Sequence, residues 1–303
     1  MVVLMLVFLL AGAVSHADVI VKSKSIVDMG GMMSSQSDGV DNIKGDKSYN
    51  SMTTRMTGGM AAMFNKGKPK EMVTITRLDK GLFWNLDPER KSYKETTLEE
   101  MKKQFADVKG GNEKEKEPEY TWTVDVKALD GPQTINGFKC NGVLGKATGI
   151  NKKNTADTLF INYEQWAAKD VPGASDMETY QKNYAKAMGI DQMWAKENMG
   201  SVLKQYGAEF AELAIKVNEA GGYPIRTIIS VEGGVKPEGA ESDETPSGAM
   251  SMMSKMLGKK ADKQEGDKGG RSKVFSMTHE IQSVEVKGVD DSQFEIPAGY
   301  KKK

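Results

Sequence analysis

Apolar and polar residues alternate along most of this chain, and a period of two marks a half-buried strand. Residues 120–128 show it most plainly. Tyr120, Trp122, Val124, Val126 and Ala128 fall on one face, and Thr121, Thr123, Asp125 and Lys127 fall on the other. Similar runs predict strands at 19–28, 32–43, 48–57, 72–78, 82–86, 91–95, 137–148, 155–163, 223–231 and 274–286, with a short closing strand at 294–296. Turn residues separate them. Gly45-Asp46 suits a tight hairpin because Gly accepts a positive φ, and Asp87-Pro88-Glu89-Arg90 carries a Pro that pre-sets φ for a type I turn.

The spacing turns helical in two places. Thr97 and Glu100 make a capping box and predict a short helix over 97–105. Met177, Tyr180, Tyr184 and Met188 recur at helical intervals, as do Met199, Val202, Leu203, Tyr206, Phe210, Leu213 and Val217, with Gly221-Gly222 ending the second stripe. A helical turn is also expected at 60–65. Residues 106–119 are charged, with Gly and Pro and little to bury, and read as a linker. Residues 232–272 are rich in Gly, Lys, Glu and Asp; their apolar content is Met250, Met252, Met253, Met256 and Leu257. That stretch is expected to be mobile, apart from a short helix of those residues. The expectation is one mainly β (α+β) domain over 18–303. It carries a charged linker at 106–119, a helical insertion at 166–220 and a flexible Met-containing insertion at 232–272.

The start of the chain changes the setting. Residues 2–10 are continuously apolar and lead to Ser15-His16-Ala17, a short hydrophobic core with a small-x-small cleavage site. This predicts a signal peptide over 1–17, cut near Ala17, although its first residues lack the usual Lys or Arg. The segment is too short to span a bilayer, and no later segment approaches a membrane span. An exported, soluble protein is expected.

Composition mainly excludes. Lys plus Arg and Asp plus Glu each number 42, so no net field favours nucleic acid or anionic membranes. Cys140 is the single cysteine, which rules out an intramolecular disulfide and suits a small buried apolar residue. His16 leaves with the signal, so His279 is the one histidine of the mature chain. A multi-ligand His/Cys zinc site cannot be built, and a Ser-His-Asp mechanism would have to use His279, beside which no nucleophile or orienting acid stands out. In phase with Phe275, Met277 and Ile281, His279 reads as a hydrogen-bonded core residue. Asp41, Asp46, Asp290 and Asp291 lack the spacing of a calcium loop, and no Gly pair leads into a phosphate-loop Lys-Ser/Thr. No enzyme and no cofactor is expected. Twenty methionines invite a Cu(I) reading for Met29, Met32 and Met33 and for the 250–256 cluster, against the plainer one that Met fills irregular apolar gaps.

The alternation also nominates a surface. Val73, Ile75, Leu82, Trp84, Leu86, Trp122, Val124, Leu159, Ile161, Tyr163, Ile225, Ile229, Phe275, Met277 and Ile281 are predicted to share one inward side, an apolar lining that helices or a ligand must fill. Val202, Leu203, Tyr206, Phe210 and Leu213 are the candidate lid.

Several stretches resemble the LolA/LolB-like superfamily, and within it a bacterial family of exported domains of unknown function. They are Ile43-Lys44-Gly45-Asp46-Lys47, Leu82-Phe83-Trp84-Asn85-Leu86-Asp87-Pro88 followed by Lys91-Ser92-Tyr93, Gly137-Phe138-Lys139-Cys140, and above all the closing Phe294-Glu295-Ile296-Pro297-Ala298-Gly299-Tyr300. The resemblance implies a strongly bent antiparallel sheet, a half-barrel with helices over its concave face, in a periplasmic protein that carries or senses lipid. Lipoprotein carriers of that superfamily keep an Arg on the strand after the early hairpin. Here that strand begins Ser48-Tyr49-Asn50, so lipoprotein sorting does not carry over. The resulting expectation is non-enzymatic binding of an acyl chain or other apolar ligand. The alternatives are a structural or protein-interaction envelope module with a self-filled core, and Cu(I) binding. The expected partners are a lipid or hydrophobic small molecule, or an envelope protein.

Overall fold

The computed structural model describes residues 18–30, 33–58, 68–110, 120–189, 217, 221–233 and 272–303. In chain order these form β1 (Val19–Asp28), β2 (Met33–Lys44), β3 (Lys47–Gly58), β4 (Lys70–Arg77), β5 (Leu82–Asp87), β6 (Ser92–Thr97), α1 (Leu98–Gly110), β7 (Tyr120–Ala128), β8 (Gln133–Ile135), β9 (Phe138–Asn151), β10 (Thr158–Ala168), α2 (Ala174–Met188), β11 (Tyr223–Gly233), β12 (Ser272–Val286), a 3-10 helix (Asp291–Phe294) and β13 (Lys301–Lys302). The strands make one large, open, curved sheet in the order β13-β6-β5-β4-β3-β2-β1-β12-β11-β10-β9-β7, with β8 on β9. Neighbours run antiparallel except β13, which is parallel to β6. Local sequence explains the joints. Gly45 turns the β2–β3 hairpin at φ +53°. The capping box closes reciprocally at the start of α1, Thr97 N donating to Glu100 Oε2 (2.7 Å) and Glu100 N to Thr97 Oγ1 (3.2 Å).

Three expectations need correction. The closing strand at 294–296 is not a strand. Asp290 accepts a hydrogen bond from Ser292 N (2.8 Å) and starts the 3-10 helix there, and the chain re-enters the sheet only at β13. Helix α1 continues to Gly110, into the stretch expected to be linker. Strand β10 runs on to Ala168, so the insertion expected from 166 begins later; Trp166 is buried, its ring over Gly142 of β9. The β8–β9 hairpin at Asn136-Gly137 was not anticipated. The expected helical turn at 60–65, most of the second helical stripe and the Met250–Met256 cluster lie outside the described residues.

Two cores cover opposite faces of the sheet. Consecutive residues of β1 reveal them, because side chains of a strand point alternately to its two sides. Val19 and Val21 belong to one buried cluster with Ile225, Ile281 and Met177 of α2. Ile20, between them, packs with the cluster of Val73, Ile75, Trp84, Leu86, Val289 and Phe294. This second core is roofed by the C-terminal segment, which polar contacts pin in place. The buried guanidinium of Arg77 donates to Asp79 (2.8 and 2.7 Å), to the Phe294 carbonyl (3.2 Å) and to Glu295. Lys44 Nζ donates to the Val289 carbonyl (2.8 Å), and Val289 N donates to Asp18 (2.8 Å).

Candidate functional site

Strand register assembles one face of the sheet from the residues in phase with Val19 and Val21. Following the pairs outward from β7, Trp122 lies opposite Gly149, and Gly149 opposite Leu159. Ile161 then pairs with Val231 and Tyr163 with Ile229, Val231 with Phe275 and Ile229 with Met277, and Met277 with Val27. On the other side Val21 pairs with Asp41, Asp41 with Asn50, and Asn50 with Thr74. Read along every strand from β7 to β4, this face has one carboxylate, Asp41, one histidine, His279, and two lysines at strand starts, Lys70 on β4 and Lys139 on β9. The opposite face of the same strands presents Asp125, Lys127, Lys146, Glu164, Arg226, Glu280, Lys22, Lys24 and Asp38. Water-facing sheet surfaces are polar, so a face this poor in charge is built to be covered.

Helix α2 covers part of it. Gly173 caps the helix at φ +70°, and a Cβ there would stand 2.5 Å from Val19 Cγ2, so only Gly lets the helix start so close to the sheet. Tyr180 reaches down to Ser48, hydroxyl to hydroxyl, at 2.6 Å, and Tyr184 meets the edge of Phe83 at 6.1 Å. The strand after the early hairpin therefore holds its helix through a serine hydroxyl. At the β7 end Val217 is wholly buried against Trp122, Ala147, Leu159 and Ile161. Between these two covered zones Val27, Tyr163, Ile229, Val231, Phe275 and Met277 form a half-buried apolar stripe.

The fifteen predicted lining residues do not share one side. Trp122, Val124, Leu159, Ile161, Tyr163, Ile229, Phe275, Met277 and Ile281 are on the uncharged face, and Ile225 joins its core beside Ile281 and Val21. Val73, Ile75, Leu82, Trp84 and Leu86 are in phase with Ile20 and belong to the other core, under Phe294. Alternation within a strand says which residues share a side but not which side of the sheet that is. The predicted lid residues Val202, Leu203, Tyr206, Phe210 and Leu213 lie outside the described residues.

Where the uncharged face passes under α2 it becomes polar. Asn50 Nδ2 donates to Asp41 Oδ1. Burial pushes the Asp41 carboxyl above its ordinary range, opposed by that hydrogen bond and by the nearby His279. Ser25 Oγ bonds His279 Nδ1 at 2.8 Å, the hydrogen-bonded placement expected for this histidine. Burial also raises the phenols of Tyr180 and Tyr223, and the Asp41 charge adds to the rise in both. Sequence reasoning weighed Asp41 only as a calcium ligand and so overlooked this group. The available signal was its phase: Asp41 is in step with Gly39 and Ile43, a carboxylate on an otherwise uncharged side.

Cys140 is buried, and burial pushes its thiol up, as suits a packing residue. Among the described residues no group of three or more His, Cys, Asp and Glu side chains could hold a metal ion. Of the proposed copper ligands, Met32 and the 250–256 cluster lie outside the described residues, while Met29 and Met33 meet through their backbones, Met29 N to Met33 O at 2.8 Å. Among the described residues no helix is long and apolar enough to cross a membrane.

No protein-family model matches the chain, and no curated protein matches its sequence. Among solved structures it is similar to the crystal structure of a LolA superfamily protein from Nitrosomonas europaea, at 8% identity over 93% of this chain and 91% of that chain, with a TM-score of 0.24. A likeness of that size leaves the function to be argued from this chain's own residues.

Proposed function

We propose that this chain is a non-enzymatic binding or carrier protein of the bacterial envelope, holding an acyl chain or another apolar ligand against the uncharged face of a LolA-like half-barrel. The observation that carries the reading is the charge distribution: one side of the sheet from β7 to β4 carries Asp41, His279, Lys70 and Lys139 as its acid, imidazole and amine groups, while the other side carries nine or more charged residues from β7 to β2 beside the core under Phe294. The half-buried stripe between α2 and Val217 is the ligand's place. Each large apolar side chain that a ligand buries fully contributes about 1.5–3 kcal/mol, so a few contacts along the stripe suffice for binding. The apolar segment at 2–10 with its Ser15-His16-Ala17 site supports export, with a periplasmic location following from the resemblance.

Native mass spectrometry of the full chain purified from its own envelope, together with uptake of a neutral naphthylamine fluorophore, tests this. A co-purifying alkyl ligand and fluorophore uptake are expected. Ligand-free protein that takes up no fluorophore overturns the reading and leaves the second one, a structural or interaction module whose hollow is filled by its own chain. The complete burial of Val217 on the Trp122 cluster favours that alternative.

A further inference from the structure

We propose that the ligand carries a neutral, hydroxyl-bearing head held on a row of polar side chains at His279, and that its alkyl chain runs from there along β12, β11 and β10 toward Leu159. This rests on the binding reading above and adds what the head must be and which way the chain lies. Register draws the row across the face from β3 to β10. Thr54 pairs with Ser37, Ser37 with Ser25, Ser25 with His279, His279 with Thr227, and Thr227 with Gln165. Every residue in it is polar. Two residues along the strands the next row is Val27, Met277, Ile229 and Tyr163, and the one after it is Phe275, Val231 and Ile161. Tyr163 marks the boundary: its hydroxyl donates to Gln165 Oε1 at 3.2 Å, so the phenol closes the polar row at the edge of the apolar lane. From Gln165 the lane follows β10 to Leu159, roughly 20 Å at about 3.3 Å per residue, along the strands rather than across them.

The row offers both donors and acceptors. Ser37 and Thr54 bond each other at 2.8 Å, and Ser25 Oγ bonds His279 Nδ1 at 2.8 Å. A hydroxyl has one donor and two acceptor sites, so a pair joined by one bond keeps capacity for a third group, and a ring engaged at Nδ1 presents Nε2. On β1, β12, β11 and β10 neither this row nor the apolar lane contains Asp, Glu, Lys or Arg. The other acid and amine groups of this face lie elsewhere. Asp41 is two rows off, on the α2 side; Lys70 stands opposite Thr54 at the far end of the row; Lys139 precedes Val143, the partner of Gln165, by two further rows on β9. An ionised head would give up its water here without gaining an ion of opposite sign from the flanking strands, which is costly. A hydroxyl head exchanges hydrogen bonds to water for hydrogen bonds to the row and loses little.

The test uses the full chain and displacement of the neutral naphthylamine fluorophore by decanol, decanoate and decylammonium, probes that differ only at the head. Decanol should bind at least about tenfold more tightly than either ion, a factor equal to about 1.4 kcal/mol. Thr227→Val keeps the shape of the side chain and removes its hydroxyl, and should weaken decanol relative to the fluorophore by about fivefold; His279→Leu should do the same. A site that held its ligand by apolar contact alone would bind decanol as well or better in Thr227→Val, because the change only adds apolar surface, and that result overturns the headgroup assignment. Decanoate or decylammonium binding as tightly as decanol overturns it too, in the unmodified protein and whatever the variants' folding. In both cases the apolar site stands, since the fluorophore still binds. Failure of the fluorophore and of all three probes to bind overturns the binding reading itself and this inference with it.

Discussion

If the two cores lie on opposite faces, stability and ligand uptake should come apart under mutation, and Phe294→Ala is the sharpest way to ask. Phe294 is wholly buried and is the largest fully buried side chain among the described residues. Its ring packs in the cluster of Ile75, Trp84, Leu86 and Val289, with Lys47 Nζ 5.7 Å from its centroid. The backbone at this point is held independently, by Arg77 on the Phe294 carbonyl and by Arg77 and Lys80 on Glu295. Truncation should therefore leave a cavity rather than release the segment. Phe→Ala at such a site costs about 3–5 kcal/mol, a large part of the 5–15 kcal/mol typical of a folded protein. Urea unfolding followed by tryptophan fluorescence reads it as a lower midpoint at unchanged slope. At low temperature, where the variant is still folded, uptake of the neutral fluorophore should match the parent protein. Ile161→Lys, by contrast, puts a cation on the uncharged face and should abolish uptake. The reasoning fails if Phe294→Ala costs less than about 1 kcal/mol, or if it removes uptake in the folded protein as completely as Ile161→Lys does.

Three further outcomes follow from the same geometry. Gly149→Ala places a Cβ 2.7 Å from the Trp122 ring, which is buried and cannot swing into water freely, so a loss of about 1–3 kcal/mol and red-shifted Trp emission are expected; an unchanged spectrum would contradict the packing. The Arg77 hydrogen bonds hold the Asp79 carboxyl below its ordinary value. A carboxylate more acidic when folded than when unfolded stabilises above its unfolded pKa and loses that contribution as pH falls through the folded one. Acid titration of stability should thus steepen below about pH 4, and Arg77→Met should remove that part of the slope; an identical slope in the variant would refute it. Cys140, with its buried and raised thiol, should resist alkylation in the folded protein and react on unfolding, as mass spectrometry would show.

Much of the architecture was legible in the sequence because its signals are local. The capping box at Thr97 and Glu100, the Gly45-Asp46 hairpin, the helical spacing from Met177 to Met188 and the alternation of 120–128 each depend on neighbours within a few residues. The 3-10 helix at Asp291–Phe294 was less legible. Phe294 and Ile296 alternate as a strand would, yet the segment crosses the sheet and drops both side chains into a core already formed by β4 and β5.

The sequence by itself determined which residues of each strand travel together: Val73 with Ile75, Trp84 with Leu86, Trp122 with Val124. Only the tertiary structure decided that the first two pairs and the third look to opposite sides. A period of two has no absolute sign. The sign comes from register carried strand by strand across the sheet, and from the bulges at Lys22/Ser23, Val231/Glu232 and Trp166/Ala167. In β1 both phases are apolar, so Val19-Ile20-Val21 gives no hint of which side is which. Asp41, Asn50 and His279, far apart along the chain, become one polar group only after β2, β3 and β12 line up about β1, because hydrogen-bonded pairing rather than chain distance sets what each side chain faces.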